Sequence, residues 1–177
     1  MSAFYLRKLK TYFVATDTDK DGVLTENDYH EMARRFIEIV KLDDAQGKKL
    51  HALAAKVWND FFKGWATDGK SLTQDQLIAS FLKRRSDPKF LESLKELMTV
   101  EFHVVDINKD GSIQLDEFTI MFRFHGIDAA HAKASFEAID SNSDGVISLD
   151  EFLTAVVDFF TGEDEKSSSR LFWGPLV

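Results

Sequence analysis

Three twelve-residue segments of the chain align without gaps, and no other feature of the sequence restricts the fold as strongly. The segments are DTDKDGVLTEND from Asp17 to Asp28, DINKDGSIQLDE from Asp106 to Glu117, and DSNSDGVISLDE from Asp140 to Glu151. Each has Asp at position 1, Asp or Asn at position 3, Asp at position 5, Gly at position 6, Leu or Ile at position 8, and a carboxylate at position 12. The shared pattern indicates an internal structural repeat.

The residues that flank these loops repeat as well. A Phe stands four residues before each loop, and an aromatic residue follows each position 12. These aromatic residues are Phe13, Phe102, Phe136, Tyr29, Phe118 and Phe152. Further apolar residues recur at helical spacing, as Leu6 and Leu9 do before the first loop. Each repeat is therefore predicted to be a helix, a twelve-residue loop and a second helix.

A fourth repeat with a degenerate loop lies at residues 61–77, between the first two intact repeats. Its structural positions keep apolar residues, namely Phe61, Leu72 and Leu77. Its ligand positions 1, 3, 5 and 12 hold residues without carboxylates, namely Trp65, Thr67, Gly69 and Gln76. We interpret this segment as a repeat that pairs with the first one and binds no metal; the alternative is an unrelated helical hairpin. The position-8 residues of paired loops should meet in short β contacts, Leu24 with Leu72 and Ile113 with Ile147.

The oxygen-bearing positions of the three intact loops match the needs of calcium. Ca²⁺ takes about six to eight oxygen ligands, and such a loop supplies them from positions 1, 3, 5, 7, 9 and 12, with the backbone carbonyl serving at position 7. The predicted metal ligands are Asp17, Asp19, Asp21, Val23, Thr25 and Asp28 in the first loop; Asp106, Asn108, Asp110, Ser112, Gln114 and Glu117 in the third; and Asp140, Asn142, Asp144, Val146, Ser148 and Glu151 in the fourth.

These repeats predict an all-α fold of the EF-hand type, with four helix–loop–helix repeats in two packed pairs and short two-stranded β contacts between paired loops. The N-terminal pair is predicted to span residues 1–86, with polar residues 43–49 as a linker inside it, and the C-terminal pair residues 87–162. Residues 163–177 are predicted to form a tail that packs onto the hydrophobic cleft; a tail that binds a partner is the alternative. The tail residues too apolar to leave in water are Leu171, Phe172, Trp173, Leu176 and Val177.

The first loop closes with Asp28, where the pattern expects Glu. Asp is one methylene shorter and reaches an ion less easily with both oxygens. We therefore expect Mg²⁺, which prefers about six ligands at shorter distances, to compete with Ca²⁺ most strongly at this site. Because carboxylates gathered in a metal-free loop repel one another, metal binding is expected to be coupled to folding.

Composition excludes several other classes of protein. The net charge of −8 makes the chain a poor partner for nucleic acid, and the absence of Cys excludes disulfides, zinc–thiolate sites and thiol catalysis. No run approaches the roughly 18–20 apolar residues of a membrane span, and no signal-peptide core is present. The cytoplasm is therefore the predicted location. No catalytic constellation is recognisable, so we do not expect an enzyme.

The chain resembles the invertebrate sarcoplasmic calcium-binding proteins over its whole length. The resemblance rests on four repeats with a silent second, on Asp28 closing the first loop, and on the terminal run FWGPLV at residues 172–177. It implies a compact monomer of the sarcoplasm that binds calcium and magnesium with high affinity, buffers calcium in muscle and other excitable cells, and needs no obligate protein partner. It also implies that the tail fills the cleft between the halves.

Two other functions remain open at this point. A calcium sensor would expose a hydrophobic cleft to a target protein, usually through a Met-rich surface; the chain has only four Met residues, which favours a buffer. A luciferin-binding or photoprotein-like carrier shares the four-repeat plan with a defective second loop, and its cavity combines His, Trp and Tyr side chains. Because the last His is His131 and the last Tyr is Tyr29, Trp173 is predicted to lack such neighbours.

Overall fold

The computed structural model of the chain describes residues 2–177. Its α-helices are α1 (Ala3–Thr16), α2 (Glu26–Val40), α3 (Asp44–Val57), α4 (Gln74–Arg84), α5 (Pro88–Val105), α6 (Leu115–Phe124), α7 (Ala132–Ile139) and α8 (Leu149–Thr161). Its strands are β1 (Val23–Leu24), β2 (Leu72–Thr73), β3 (Ser112–Ile113) and β4 (Ile147–Ser148). Shorter helical turns occupy Trp58–Phe62, Lys63–Trp65, Ala129–His131 and Ser168–Leu171. Among the helices of this described range, none is long and apolar enough to cross a membrane.

The helix that leaves each loop begins with the same cap. In all four repeats the side chain at position 12 accepts a hydrogen bond from the backbone N–H at position 9, which is the N-cap residue. The bonds are Thr25 to Asp28 at 2.8 Å, Thr73 to Gln76 at 2.8 Å, Gln114 to Glu117 at 3.0 Å and Ser148 to Glu151 at 3.0 Å. Such a bond satisfies an N–H group that the helix leaves free, so the loop sequence itself fixes where α2, α4, α6 and α8 begin.

The loops pair through two short antiparallel sheets. Strand β1 pairs with β2 so that Leu24 faces Leu72, and β3 pairs with β4 so that Ile113 faces Ile147. All four side chains are fully buried. This confirms the predicted pairing of the position-8 residues and, with the helices around them, the predicted all-α fold of four EF-hand repeats.

Each pair of repeats packs in the same way, and the two pairs contact each other through aromatic side chains. Helix α1 packs against α4 and α2 against α3, while α5 packs against α8 and α6 against α7. Contacts of α2 with α6 and of α1 with α8 join the two pairs. The ring of Phe36 meets that of Phe124 edge-on at 5.5 Å, and Phe81 stacks on Phe160 at 4.7 Å. The core is therefore continuous from one pair to the other.

The second repeat departs from the predicted pattern just before its loop. Residues 58–62 form a π-helical turn, in which the backbone bonds over five residues instead of four. The wider turn shifts the side-chain register by one residue. Phe62, only 1% exposed, takes the core position that the sequence pattern assigned to Phe61, which is half-buried.

The linker predicted at residues 43–49 is also wrong in part, because α3 already begins at Asp44. The Asp43 side chain caps this helix by accepting a 2.8 Å hydrogen bond from the backbone N–H of Gln46. In return the Gln46 side chain accepts a 3.1 Å bond from the Asp43 N–H. A polar composition that suggests a linker is here the first turn of a capped helix, whose exposed face is polar.

The C-terminal segment returns to the body of the protein. Phe172 is fully buried and Trp173 is 2% exposed. The Phe172 ring lies 5.0 Å from that of Phe152. At the end of the chain, the Arg7 guanidinium donates hydrogen bonds to the carbonyls of Leu176 and Val177 at 3.0 and 3.1 Å. These contacts connect the last residues to α1.

Candidate metal centres

Each intact loop makes its sharp turn at the glycine in position 6. The φ angle of Gly22 is +90°, a conformation that residues with a Cβ rarely adopt. Its backbone N–H donates a 3.1 Å hydrogen bond to the Oδ2 of Asp17. The corresponding bonds are Gly111 to Asp106 at 3.1 Å and Gly145 to Asp140 at 3.0 Å. The three loops therefore fold back onto their position-1 carboxylates in the same way.

The first loop gathers three carboxylates at one point. One oxygen from each of Asp17, Asp19 and Asp21 lies within 4.8 Å of the other two. Two ligands of one Ca²⁺ ion, each roughly 2.4 Å from it, are at most about 4.8 Å apart, so a single ion can contact all three carboxylates. The Oδ1 of Asp17 is buried and accepts no hydrogen bond from the described residues. The spacing and this free oxygen fit a single bound calcium ion.

Electrostatics at Asp17 agree with that geometry. Burial raises the pKa of the Asp17 carboxyl, and repulsion from the carboxylates of Asp28 and Asp21 adds to the effect. A carboxylate whose negative charge is destabilised by burial and by like charges gains most from a nearby cation. The first loop is therefore a centre of unneutralised negative charge.

The position-12 carboxylate of the first loop joins the two ends of that loop. The Oδ1 of Asp28 accepts hydrogen bonds from the backbone N–H and the hydroxyl of Thr18, both at 2.9 Å. Its Oδ2 accepts from the N–H of Thr25 at 2.8 Å and from the hydroxyl at 3.0 Å. Asp28 is only 1% exposed. The shorter side chain is therefore long enough to close the loop by hydrogen bonding.

The third loop holds its polar side chains in one network. An oxygen of Glu117 accepts a 3.1 Å hydrogen bond from the backbone N–H of Asn108. The amide groups of Asn108 and Gln114 both donate to the Oδ2 of Asp110 at 2.9 Å. Hydrogen bonds from the hydroxyl and the N–H of Ser112 lower the pKa of the Asp110 carboxyl. Hydrogen bonds thus connect positions 3, 5, 7, 9 and 12 into one network.

The fourth loop repeats this closure. One oxygen of Glu151 accepts from the backbone N–H of Ser141 at 3.0 Å and from its hydroxyl at 2.9 Å, and the other accepts from the Ser148 hydroxyl at 2.7 Å. Burial opposes ionisation of Glu151, but the hydrogen bonds from Ser148 and Ser141 outweigh it and lower the pKa to about 2. The Asn142 amide donates a 3.0 Å bond to Asp144. Glu151 is therefore fully ionised at neutral pH.

The second loop is closed without any carboxylate at its ligand positions. The amide of Gln76 donates a 2.8 Å hydrogen bond to the hydroxyl of Thr67, which joins positions 12 and 3 directly. The Trp65 ring at position 1 packs edge-on against Phe81 at 5.2 Å, and the Arg84 guanidinium lies over it at 5.1 Å. A neutral hydrogen bond and a packed ring thus occupy the positions that carry charge in the other loops.

All eighteen predicted ligands lie in the three loops or in the first turn of the helix that follows each loop. Val23 and Ser112 lie in β1 and β3, and Val146 directly precedes β4. Thr25 and Ser148 use their hydroxyls to bond the position-12 carboxylates. The predicted ligands are therefore divided six to a loop, and each set comes from one continuous stretch of the chain.

One expectation about the aromatic residues is wrong. Trp173 does have His and Tyr neighbours, because its ring lies 4.7 Å from that of His125 and 5.4 Å from that of Tyr12. His125 in turn places its Nε2 2.8 Å from a carboxylate oxygen of Glu101. These residues are far apart in the sequence, and their spacing carries no signal that could have predicted the cluster.

Comparison with known proteins agrees with the fold and the loops. Residues 94–157 match the family model of an EF-hand domain pair. The sarcoplasmic calcium-binding protein of Perinereis vancaurica tetradentata is 41% identical over 99% of this chain and 100% of its own length. That of Hediste diversicolor is 39% identical, with the same coverage. Among solved structures, the calcium-loaded apo form of the coelenterazine-binding protein from Renilla muelleri has a TM-score of 0.81 at 28% identity, covering 98% of this chain and 97% of that one.

The paired helix–loop–helix repeats and their acidic loops define an EF-hand calcium-binding protein. The full-length identity to the two sarcoplasmic calcium-binding proteins narrows this class to one family. The chain belongs to the sarcoplasmic calcium-binding protein family, whose members are calcium-binding proteins and not enzymes.

Proposed function

We propose that the first, third and fourth loops each bind one calcium ion through the six residues predicted for each, and that the second loop binds none. The observation that carries this proposal is that all three loops close in the same way. In each, the backbone N–H of the glycine at position 6 donates a hydrogen bond to the carboxylate at position 1. The carboxylate at position 12 accepts hydrogen bonds from both ends of the loop. Bound calcium would neutralise the carboxylates that each loop crowds together. Mg²⁺ competes for these loops, most strongly at the first one, where Asp28 replaces the longer Glu.

The protein acts as a high-affinity calcium buffer in this proposal. A sensor must expose an apolar surface when calcium binds, but the side chains of Phe172 and Trp173 are buried against the body of the protein. We assign residues 1–86 to an N-terminal pair, 87–162 to a C-terminal pair and 163–177 to a tail that covers the cleft between them. A calcium sensor with a displaceable tail is the second candidate function.

The proposed cellular location follows from the names of the relatives, and the proposed binding partners follow from the net charge of the chain. The relatives from Perinereis and Hediste are named sarcoplasmic calcium-binding proteins, so we place this protein in the cytoplasm of muscle. The net charge of −8 is unfavourable for binding nucleic acid or an anionic membrane surface. We propose a monomer that binds calcium and magnesium and has no obligate protein partner.

A carrier of coelenterazine or a similar luciferin is a weaker candidate. The solved Renilla muelleri relative is a coelenterazine-binding protein, and Trp173 has the His and Tyr neighbours described above. However, the cavity beside His125 has a volume of about 110 Å³. An engineered cavity of about 150 Å³ holds a single benzene ring, so a molecule with several ring systems does not fit. Saturable coelenterazine binding to the calcium-loaded protein would overturn this argument.

Single-loop variants test the assignment of the three sites. Asp17→Asn, Glu117→Gln and Glu151→Gln should each lower the number of bound calcium ions from three to two, because each neutralises a proposed ligand in one loop. Gln76→Ala in the second loop is the matched control and should leave three. Equilibrium dialysis with radioactive calcium gives the stoichiometry. A wild-type stoichiometry other than three, or a loss of calcium in Gln76→Ala alone, would contradict the assignment.

A further inference from the structure

Two histidine side chains meet between the second and third helices. His30 lies in α2 and His51 in α3, and these helices pack against each other. The Nδ1 atoms of the two rings are 3.1 Å apart, whereas the ring centroids are 5.2 Å apart. Each Nδ1 therefore lies on the side of its ring that faces the other ring. Tyr29 of α2 packs on Trp58 at the end of α3, with ring centroids 6.0 Å apart, and helps to hold the two helices in this register.

The two Nδ1 atoms can share a proton or a cation. A neutral imidazole carries a proton on only one of its nitrogens. Two bare Nδ1 atoms at 3.1 Å would repel, so without a metal one of them donates a hydrogen bond to the other. When that proton moves to the Nε2 of the same ring, both Nδ1 lone pairs face the space between the rings and no proton is released. Imidazole nitrogens in this arrangement are suited to Zn²⁺, Cu²⁺ and Ni²⁺.

The spacing of the two nitrogens fits one shared ion. Zinc–imidazole bonds are about 2.0–2.1 Å long, so two nitrogens on one ion are roughly 2.9 Å apart at a right angle and roughly 3.3 Å apart at the tetrahedral angle. The 3.1 Å between the Nδ1 atoms of His30 and His51 lies between these values. Because Ca²⁺ and Mg²⁺ prefer oxygen ligands, the pair favours transition metals over the ions expected in the loops.

A carboxylate lies on the outer side of one ring. Glu26, one turn before His30 in α2, places an oxygen 3.6 Å from the Nε2 of His30, and a small rotation of its exposed side chain brings that oxygen into hydrogen-bond range. The nitrogen of a metal-bound imidazole that does not contact the ion usually donates its proton to such an acceptor, which fixes the tautomer and strengthens the ligand. Glu26 therefore favours the tautomer of His30 that leaves Nδ1 free.

We propose that His30 and His51 bind one divalent transition-metal ion, Zn²⁺ or Cu²⁺, through their Nδ1 atoms, and that Glu26 positions His30. The His30 side chain is 36% exposed and His51 is half-buried, so an ion reaches the pair from solvent and water completes its coordination. Cu²⁺ binds more tightly than Zn²⁺, as at most nitrogen sites. The two ligands come from helices outside the calcium loops, and the site goes beyond calcium buffering.

The first test is a calorimetric titration of the full chain with Zn²⁺ in excess Ca²⁺, which keeps zinc away from the carboxylates of the loops. One saturable zinc site is expected. Glu26→Gln should weaken zinc binding by roughly tenfold, the lower end of the usual effect of losing a partner of a metal-bound histidine. His30→Gln and His51→Gln each remove a ligand and should weaken it more. His131→Gln changes an exposed histidine of another repeat, and this matched control should bind zinc as the wild type does.

Spectroscopy of the wild type gives a second readout that does not depend on how the variants fold. Electron paramagnetic resonance of bound Cu²⁺ should show coupling to two imidazole nitrogens, and to only one in either His30→Gln or His51→Gln. In NMR spectra, Zn²⁺ should shift the ring signals of these two histidines and leave those of His131 in place. Calcium stoichiometry should be the same in all variants.

Three results would each overturn the proposal. Absence of saturable zinc and copper binding in excess calcium would mean that the two rings only hydrogen-bond each other. Unchanged zinc affinity in His51→Gln, or an equal loss in His131→Gln, would place the bound ion elsewhere. Because the calcium stoichiometry is measured separately, failure here leaves the proposed buffer function untouched.

Discussion

The hydroxyl of Tyr5 donates a 2.6 Å hydrogen bond to the backbone carbonyl of Phe160, and so joins the first helix to the last. One turn further along α1, the ammonium group of Lys8 bonds the carbonyls of Asp158 and Gly162 at 3.0 and 2.6 Å. The end of α8 leaves carbonyls without partners inside the helix. Two side chains of α1 therefore satisfy the end of α8, where the helix dipole attracts the positive charge of Lys8 although burial opposes that charge.

Loss of this cap should destabilise the protein. Lys8 is 1% exposed, and its ammonium group lies within 5.6 Å of three aromatic rings. Lys8→Met should lower the free energy of unfolding of the calcium-loaded protein by about 2 kcal/mol, because two charge-assisted bonds are lost. Urea denaturation measures the change. Lys10→Met, on the exposed side of the same helix, should change stability by less than about 0.5 kcal/mol; an equal effect in both variants would contradict the capping role.

The same lysine should make stability depend on pH above neutrality. Burial lowers the pKa of Lys8 to about 8, although the nearby carboxylates of Asp158 and Glu163 oppose the shift. An unfolded lysine has a pKa of about 10.4. Between these values the unfolded chain holds a proton that the folded chain has released, so the contribution of Lys8 to the unfolding free energy rises with pH.

Urea denaturation between pH 7.5 and 9.5 tests this expectation. The upper limit avoids the tyrosines, since burial raises the pKa of Tyr5 to about 12 and stability should fall as unfolded tyrosines ionise above about pH 10. The wild type should lose less stability, or gain more, over this range than Lys8→Met does. Parallel pH profiles for the two proteins would mean that Lys8 titrates normally.

The identity of position 12 in the first loop should set its metal preference. Asp28→Glu lengthens the side chain by one methylene, which makes it easier for both oxygens to reach an ion. The calcium affinity of this loop should rise by roughly tenfold relative to its magnesium affinity, because calcium accepts the larger coordination number. Competition calorimetry reports each site, and the third and fourth loops serve as internal controls. Unchanged selectivity at the first loop would rule out the proposed role of Asp28.

The silent second loop should support the first loop through its fully buried Leu72. Leu72→Ala removes the side chain that faces Leu24 across β1 and β2, and should cost about 2–5 kcal/mol of stability. Calcium affinity should fall at the first loop but not at the third and fourth. Ile147→Ala, the counterpart in the C-terminal pair, should show the opposite pattern. Equal calcium losses at all sites in both variants would indicate general unfolding instead of local support.

Much of this fold is predictable from local pattern. The loop residues occupy fixed spacings, and position 12 both caps the following helix and closes the loop, so Glu117 and Glu151 identify a candidate metal site and a helix start together. The pairing of Leu24 with Leu72 follows because the repeats are copies of one plan. The loop spacings are local features of the sequence, and the loop pairing follows from a repeat, so both can be read from the sequence alone.

Contacts between distant residues could not be predicted in the same way. The packing of Trp173 on His125 and Tyr12 depends on how the tail returns to the body, which no spacing in the sequence encodes. The burial of Lys8 contradicts the usual preference of lysine for water and depends on the free carbonyls at the end of α8. The π-helical turn before the second loop likewise has no marker in residue type, so Phe61 and Phe62 could not be distinguished.

The central claim is that three loops bind calcium tightly while the protein stays closed. Calorimetric titration of the metal-stripped protein with calcium in millimolar magnesium, read in parallel with the fluorescence of the hydrophobic dye ANS, tests both parts at once. We predict three bound calcium ions, with the tighter sites near 10⁻⁹–10⁻⁸ M in order of magnitude, and no rise in dye fluorescence. Weaker binding accompanied by a clear rise in fluorescence would contradict the account, because it would mean that calcium displaces Phe172 and Trp173 and exposes the cleft of a sensor.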